Sequence, residues 1–133
     1  MDQQSFRRLA LSLPATEEQD HRGHPSFRVR DKIFATLWPT ERRAVVKLSL
    51  KEQADLVGSR AAAFSLNAWS RQGWTNVHLA HVSVEECREL IEQAWRIVAP
   101  KKLVRLREQE NEVVQGADTT ADGTASGPES EPR

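Results

Sequence analysis

His21 and His24 bracket Arg22 and Gly23, and Pro25 follows. Two imidazoles this close are groups that could hold a metal ion or move a proton near neutral pH. Neither has a carboxylate–histidine or cysteine motif nearby to complete a ligand set. Pro25 pushes His24 toward extended backbone, which suits a turn residue hydrogen-bonded to main chain. No metal site is assigned. Cys87 falls on an apolar helical stripe and reads as a core thiol. There is no G-x-S-x-G, P-loop, G-x-G-x-x-G or H-E-x-x-H pattern, so the expectation is a non-enzyme without a cofactor.

The richer chemistry lies where basic side chains alternate with aromatic and β-branched ones. Arg28 and Arg30 share one face of an alternating run, with Lys32 next to them. Arg42 and Arg43 tip a later turn, and Lys47 follows on another strand. Within Ile33 to Trp38, one face carries Ile33, Ala35 and Leu37 and the other Phe34, Thr36 and Trp38. If the first set faces the core, Phe34 and Trp38 share an open face with the cations. Arginine holds phosphate through two parallel hydrogen bonds, and an exposed indole stacks an unpaired base. The plainer reading makes Phe34 and Trp38 core residues and the cations a solvated face. Trp69 and Trp74, with His24, suggest a separate small-molecule or protein-binding cleft.

These residues need elements to hold them. Phe6, Leu9, Ala10 and Leu13 lie on one side of a helix over 3–13, stopped by Pro14. Thr16 to Asp20 suits a short edge strand, and residues 21–25 a turn. Strands over 27–30, 33–38 and 44–48, joined by short turns, predict an antiparallel meander. Ser49 and Glu52 form a capping box for a helix over 50–57, closed by Gly58. Residues 59–73 give no regular pattern. A further strand runs over 74–79. Ser83 and Glu86 cap the clearest helix, 84–99, with Leu90, Ile91, Ala94 and Trp95 in its apolar stripe. Residues 101–107 suit a last helical turn. Helix, strands, then helices is an α+β order, with helices on one face of a twisted antiparallel sheet.

The zero net charge of the 133 residues conceals two opposite parts. Residues 1–107 hold 18 basic and 12 acidic side chains, a surplus of six positive charges; residues 108–133 hold one and seven, a surplus of six negative. The second part lacks aromatic residues and is rich in Gly, Ser, Thr, Pro and acid, so it is expected to be a disordered tail to a domain spanning 1–107. No apolar run is long enough to span a bilayer, and Met1-Asp2-Gln3-Gln4 does not open like a secretory signal. One cysteine excludes an internal disulfide. A cytoplasmic monomer is the expectation. The outer side of the 84–99 helix carries Glu85, Glu86, Glu89 and Glu92 against Arg88 and Arg96, which would repel phosphate.

Gly23-His24-Pro25-Ser26-Phe27-Arg28-Val29, Lys32-Ile33-Phe34-Ala35, Val45-Val46-Lys47, Gly73-Trp74 and residues 94–103 follow one another at spacings that resemble the MmcQ/YjbR family over about residues 4–105. The resemblance implies a frataxin (CyaY)-like α+β fold, a shape also called a double wing, and DNA as a partner. The residues expected to contact nucleic acid are Arg28, Arg30, Lys32, Arg42, Arg43 and Lys47, with Trp38 as a stacker. Frataxins hold iron on an acidic first helix; here that helix carries Arg7 and Arg8 and has only Asp2 as acid, so that activity does not carry over.

Overall fold

The computed structural model describes the backbone of residues 1–122 and the side chains of residues 1–112. Four helices and six strands follow in the order α1 (Gln3–Leu11), β1 (Thr16–His21), β2 (His24–Val29), β3 (Lys32–Trp38), β4 (Arg43–Lys47), α2 (Leu50–Ser59), β5 (Phe64–Ser65), β6 (Trp74–His78), α3 (Val84–Val98) and α4 (Lys101–Asp122). The strands form one antiparallel sheet in the order β1-β2-β3-β4-β6-β5. This is the expected α+β architecture. The compact unit ends at Ala99, not at Arg107. Pro100 has no N–H to continue α3, and the Lys/Arg/Glu-rich sequence beyond it forms α4 by itself, so residues 108–122 of the expected tail are helical. Residues 123–133 of that tail lie outside the described residues.

Helices α1, α2 and α3 each begin where a short polar side chain satisfies an orphan amide. Asp2 accepts from Ser5 N at 2.7 Å, Ser49 from Glu52 N at 3.1 Å and Ser83 from Glu86 N at 3.1 Å. The bond from Ser5 holds the exposed Asp2 carboxyl below its ordinary pKa. Helix α3 packs across β3 and β4, and α1 packs against α3 and β1. Between helices and sheet lie Phe6, Phe27, Phe34, Phe64, Ile91 and Trp95, all essentially without solvent contact. The Trp95 indole donates to Pro14 O at 3.0 Å, which satisfies its polar edge at the α1–β1 connection.

Two tight hairpins set the register. Arg22 and Gly23 have φ of 56° and 88°, and Arg30 and Asp31 have 50° and 68°. Two successive positive φ values make the primed turn whose twist matches flanking strands. The second turn is therefore Arg30-Asp31, and Lys32 already belongs to β3, one residue earlier than the strand over 33–38 expected from sequence. His24 is the first residue of β2 and not part of the turn.

Between these strands the pairing slips. Phe27 opposes Ala35, but Arg28 opposes Ile33, so Phe34 is an extra residue in β3. Such a bulge puts two successive side chains on the same side. Phe34 and Ala35 are both fully buried, while Trp38 stays half-buried on the other face. Simple alternation had placed Phe34 beside Trp38, and the bulge corrects this.

The stretch left irregular in the sequence holds β5 and a 3-10 turn, Ser70–Gln72, ended by Gly73 at φ 100°. Leu48 N donates to Gly73 O at 2.9 Å, and a Cβ at residue 73 would run into Leu48 O. Gly23 also has positive φ but faces open space. Gly23→Ala should therefore cost about 1 kcal/mol, from backbone strain alone. Gly73→Ala should cost roughly twice that or more, because strand β4 must also move. Paired denaturant melts check the order.

Candidate nucleic-acid interface

Strand alternation builds the sheet face that no helix of this unit covers. One row crosses five strands. His21 opposes His24, Trp38 opposes Arg43, and Arg43 opposes His78. The His24 ring stacks on Trp38 with centroids 3.6 Å apart, and the Arg43 guanidinium lies 4.6 Å from the centre of the indole. β2 and β4 flank β3 on opposite sides, so imidazole and guanidinium take opposite faces of the indole. Its N–H donates to Thr36 Oγ1 at 3.1 Å. A ring covered on both faces has none left for a base.

The next row is a polar network. Arg43 Nη1 donates to Asn76 Oδ1 at 2.9 Å, and Asn76 Nδ2 donates to Ser65 Oγ at 3.0 Å. Asn67 Nδ2 also reaches Asn76 Oδ1, at 3.0 Å. At the far end of the face, Glu17 opposes Arg28, and Lys47 opposes Trp74. The Lys47 ammonium sits 5.0 Å from the centre of the Trp74 ring.

The seven residues proposed from sequence fall in three places. Arg28, Trp38, Arg43 and Lys47 lie on this face, all half-buried. Arg30 and Lys32 are exposed at the β2–β3 hairpin. Arg42, left-handed at φ 51°, sits at the opposite end of the sheet, beside Asp2, Gln3 and Leu79. Arg43 is held by Glu41, Nε to Oε1 at 2.9 Å. Among the described residues, no carboxylate pairs with Arg28, Arg30, Lys32, Arg42 or Lys47. Arg28 instead donates to Ser26 Oγ at 3.0 Å and lies 3.5 Å from His21 Nδ1. On α1, α2, α3 and the loops beside them several cations are paired, although Arg8 and Arg71 have no carboxylate partner among the described residues. Arg7 pairs with Glu18 and Arg88 with Glu85, at 2.9 and 2.8 Å, Lys51 with Asp55, and Arg60 with Glu86.

The family model for YjbR matches residues 11–97. The chain belongs to the YjbR family. Among solved structures, it is similar to Deinococcus radiodurans protein DR2400, described with a DUF419 family-model domain. That match has 16% identity and a TM-score of 0.68, and covers 99% of this chain and 95% of that one. At this identity the likeness shows the fold. No curated protein matches.

In this YjbR domain the second set suggested by sequence does not share a cleft. β3 and β4 separate His24 from Trp74, about 14 Å at ordinary strand spacing. His24 also sits at the Trp38 end of the face and Trp74 at the Lys47 end. Trp69 and Trp74 do belong together, because Asn67 and Ser70 tie their loop to Trp74 O. Among the described residues no group of three or more His, Cys, Asp or Glu is placed to hold a metal. Cys87 is buried, and burial pushes its thiol up to about 12.

Sequence reasoning missed Asn76, His78, Ser65 and Asn67. The signal was the alternation of Trp74, Asn76 and His78, which share the face of β6 that continues from Arg43 and Lys47. His78 Nε2 lies 2.8 Å from Ser65 Oγ. Burial, then the charges of Arg43 and His81, lower its pKa below 6.5. The folded state thus binds this proton less readily than the unfolded chain. Stability is therefore full above pH 6.5 and declines as pH falls through that value. His78→Gln should flatten the fall in melting temperature between about pH 7 and 5. An unchanged slope would mean that other groups set it.

Proposed function

We propose that this domain is a non-enzymatic nucleic-acid-binding module that grips the phosphate backbone. Arg28 and Lys47 would contact phosphate from the sheet face, and Arg30 and Lys32 from the adjoining hairpin. The observation that carries this reading is the distribution of cations. Those four have no carboxylate partner among the described residues, whereas Arg7, Arg60 and Arg88 do. An unpaired cation keeps its field for a polyanion and releases counterions on contact. Arg43 leaves the contact set because Glu41 and Asn76 already use its donors. Arg42 leaves it because it projects from the other end of the sheet. DNA is also the partner that the sequence resemblance implies.

The test is a titration of the full chain with duplex DNA at two salt concentrations. Binding should fall steeply with added salt. Arg28→Ala with Lys47→Ala should weaken it about tenfold or more and reduce the salt slope by roughly two contacts. Arg88→Ala, on the acidic side of α3, should change little. Salt-independent binding, or equal affinity in the double variant, would remove these cations from the reading.

A further inference from the structure

We infer that Trp69 is a base-stacking platform, and that the nucleic acid this face prefers is single-stranded. The inference rests on the phosphate-binding reading above and names the form of its ligand. A lone exposed tryptophan carries little meaning; here three observations converge.

The first is availability. Trp95 is fully buried, Trp38 has both ring faces covered, and half-buried Trp74 carries Lys47 on one face. Trp69 is 63% exposed, the most open of the large apolar side chains among the described residues. Leu66, at 56%, adds apolar surface in the same loop.

The second is rigidity. Trp69 N donates to Asn67 Oδ1 at 2.8 Å, and Asn67 is bonded to Asn76 on the sheet face. Ser70 Oγ accepts from Asn67 N and donates to Trp74 O, both at 2.8 Å. From the other side, Gln53 of α2 donates to Ser70 O at 3.1 Å. The backbone on both flanks of the indole is therefore fixed, so stacking a base orders little that is not ordered already.

The third is charge. Residues 56–84 contain no Asp or Glu, and Arg71 is exposed in the same turn. The nearest acids along the chain before this stretch are Glu52 and Asp55 of α2, and Asp55 is held by Lys51 at 3.2 Å. A planar apolar platform two residues before Arg71, in a loop tied to the backbone of Trp74, suits a strand whose bases are free to unstack. A duplex keeps its base faces inside and gains nothing from Trp69.

The experiment titrates the full chain with an oligodeoxythymidylate and with a duplex of equal length, for wild type, Trp69→Ala, Trp69→Phe and the Arg28/Lys47 double alanine variant. Trp69→Ala should lose about tenfold affinity for the single strand and almost none for the duplex. Trp69→Phe should recover most of that loss, and the tryptophan quenching seen on binding should vanish in both Trp69 variants. If Trp69→Ala changes both ligands equally or neither, while the double variant still loses both, stacking is overturned and phosphate binding stands. If wild type binds neither ligand at low salt, both readings fall.

Discussion

At Phe34, strand β3 carries one residue more than its partner β2, and the division of labour between the two faces of the sheet depends on that insertion. Without it, strict alternation would send Phe34 to the face of Trp38 and leave the contact with α3 short of an aromatic ring. With it, Phe34 joins Phe6, Phe27 and Phe64 under the helices. Trp38 is left to stand between His24 and Arg43. A one-residue slip in an antiparallel pair reverses every side chain beyond it. The bulge confines that reversal to one end of β3, where Ile33 faces Arg28 and the hairpin presents Arg30 and Lys32.

The face that results has two halves of different electrostatic character. Around Trp38, most donors and acceptors are matched within the protein, His24 Nδ1 excepted: Arg43 serves Glu41, Asn76 and the indole, and Asn76 serves Ser65 and Leu66 O. Buried polar networks of this kind fix geometry when every member is satisfied. Lys47 at the other end, the hairpin cations Arg30 and Lys32, and Arg28, whose guanidinium turns back to Ser26 and His21, lack carboxylate partners among the described residues. The first half is a brace and the second has unspent charge, so the basic residues of the meander do not act as one patch.

Much of this was legible in the residues. Capping residues, the apolar stripe of α3 and the alternating meander pointed to α1, α2 and α3, to five of the six strands and to the α+β class, because local propensity and burial agree there. What was not legible came from pairing between distant residues. Nothing local marks Phe34 as a bulge, since its neighbours alternate well enough for a plain strand. Strand β5 has two residues and exists through its pairing with β6. Arg43 looks in sequence like Arg42 beside it, yet φ 51° at Arg42 turns one away while Glu41 captures the other. Trp69 looked like a wall of a cleft because its loop had no periodicity to show which side chain was left outside.

The orphan on the face is His24. Its Nδ1 is buried without a hydrogen-bond partner, a cost usually of the order of 1–3 kcal/mol. Stacking against Trp38 at 3.6 Å returns part of that through dispersion. Because Trp38 touches both His24 and Arg43, a displacement of either one moves the indole on which the other rests. The network through Asn76 and Asn67 then links Arg43 to the backbone that presents Trp69, which makes the braced half of the face the support on which the charged half is built.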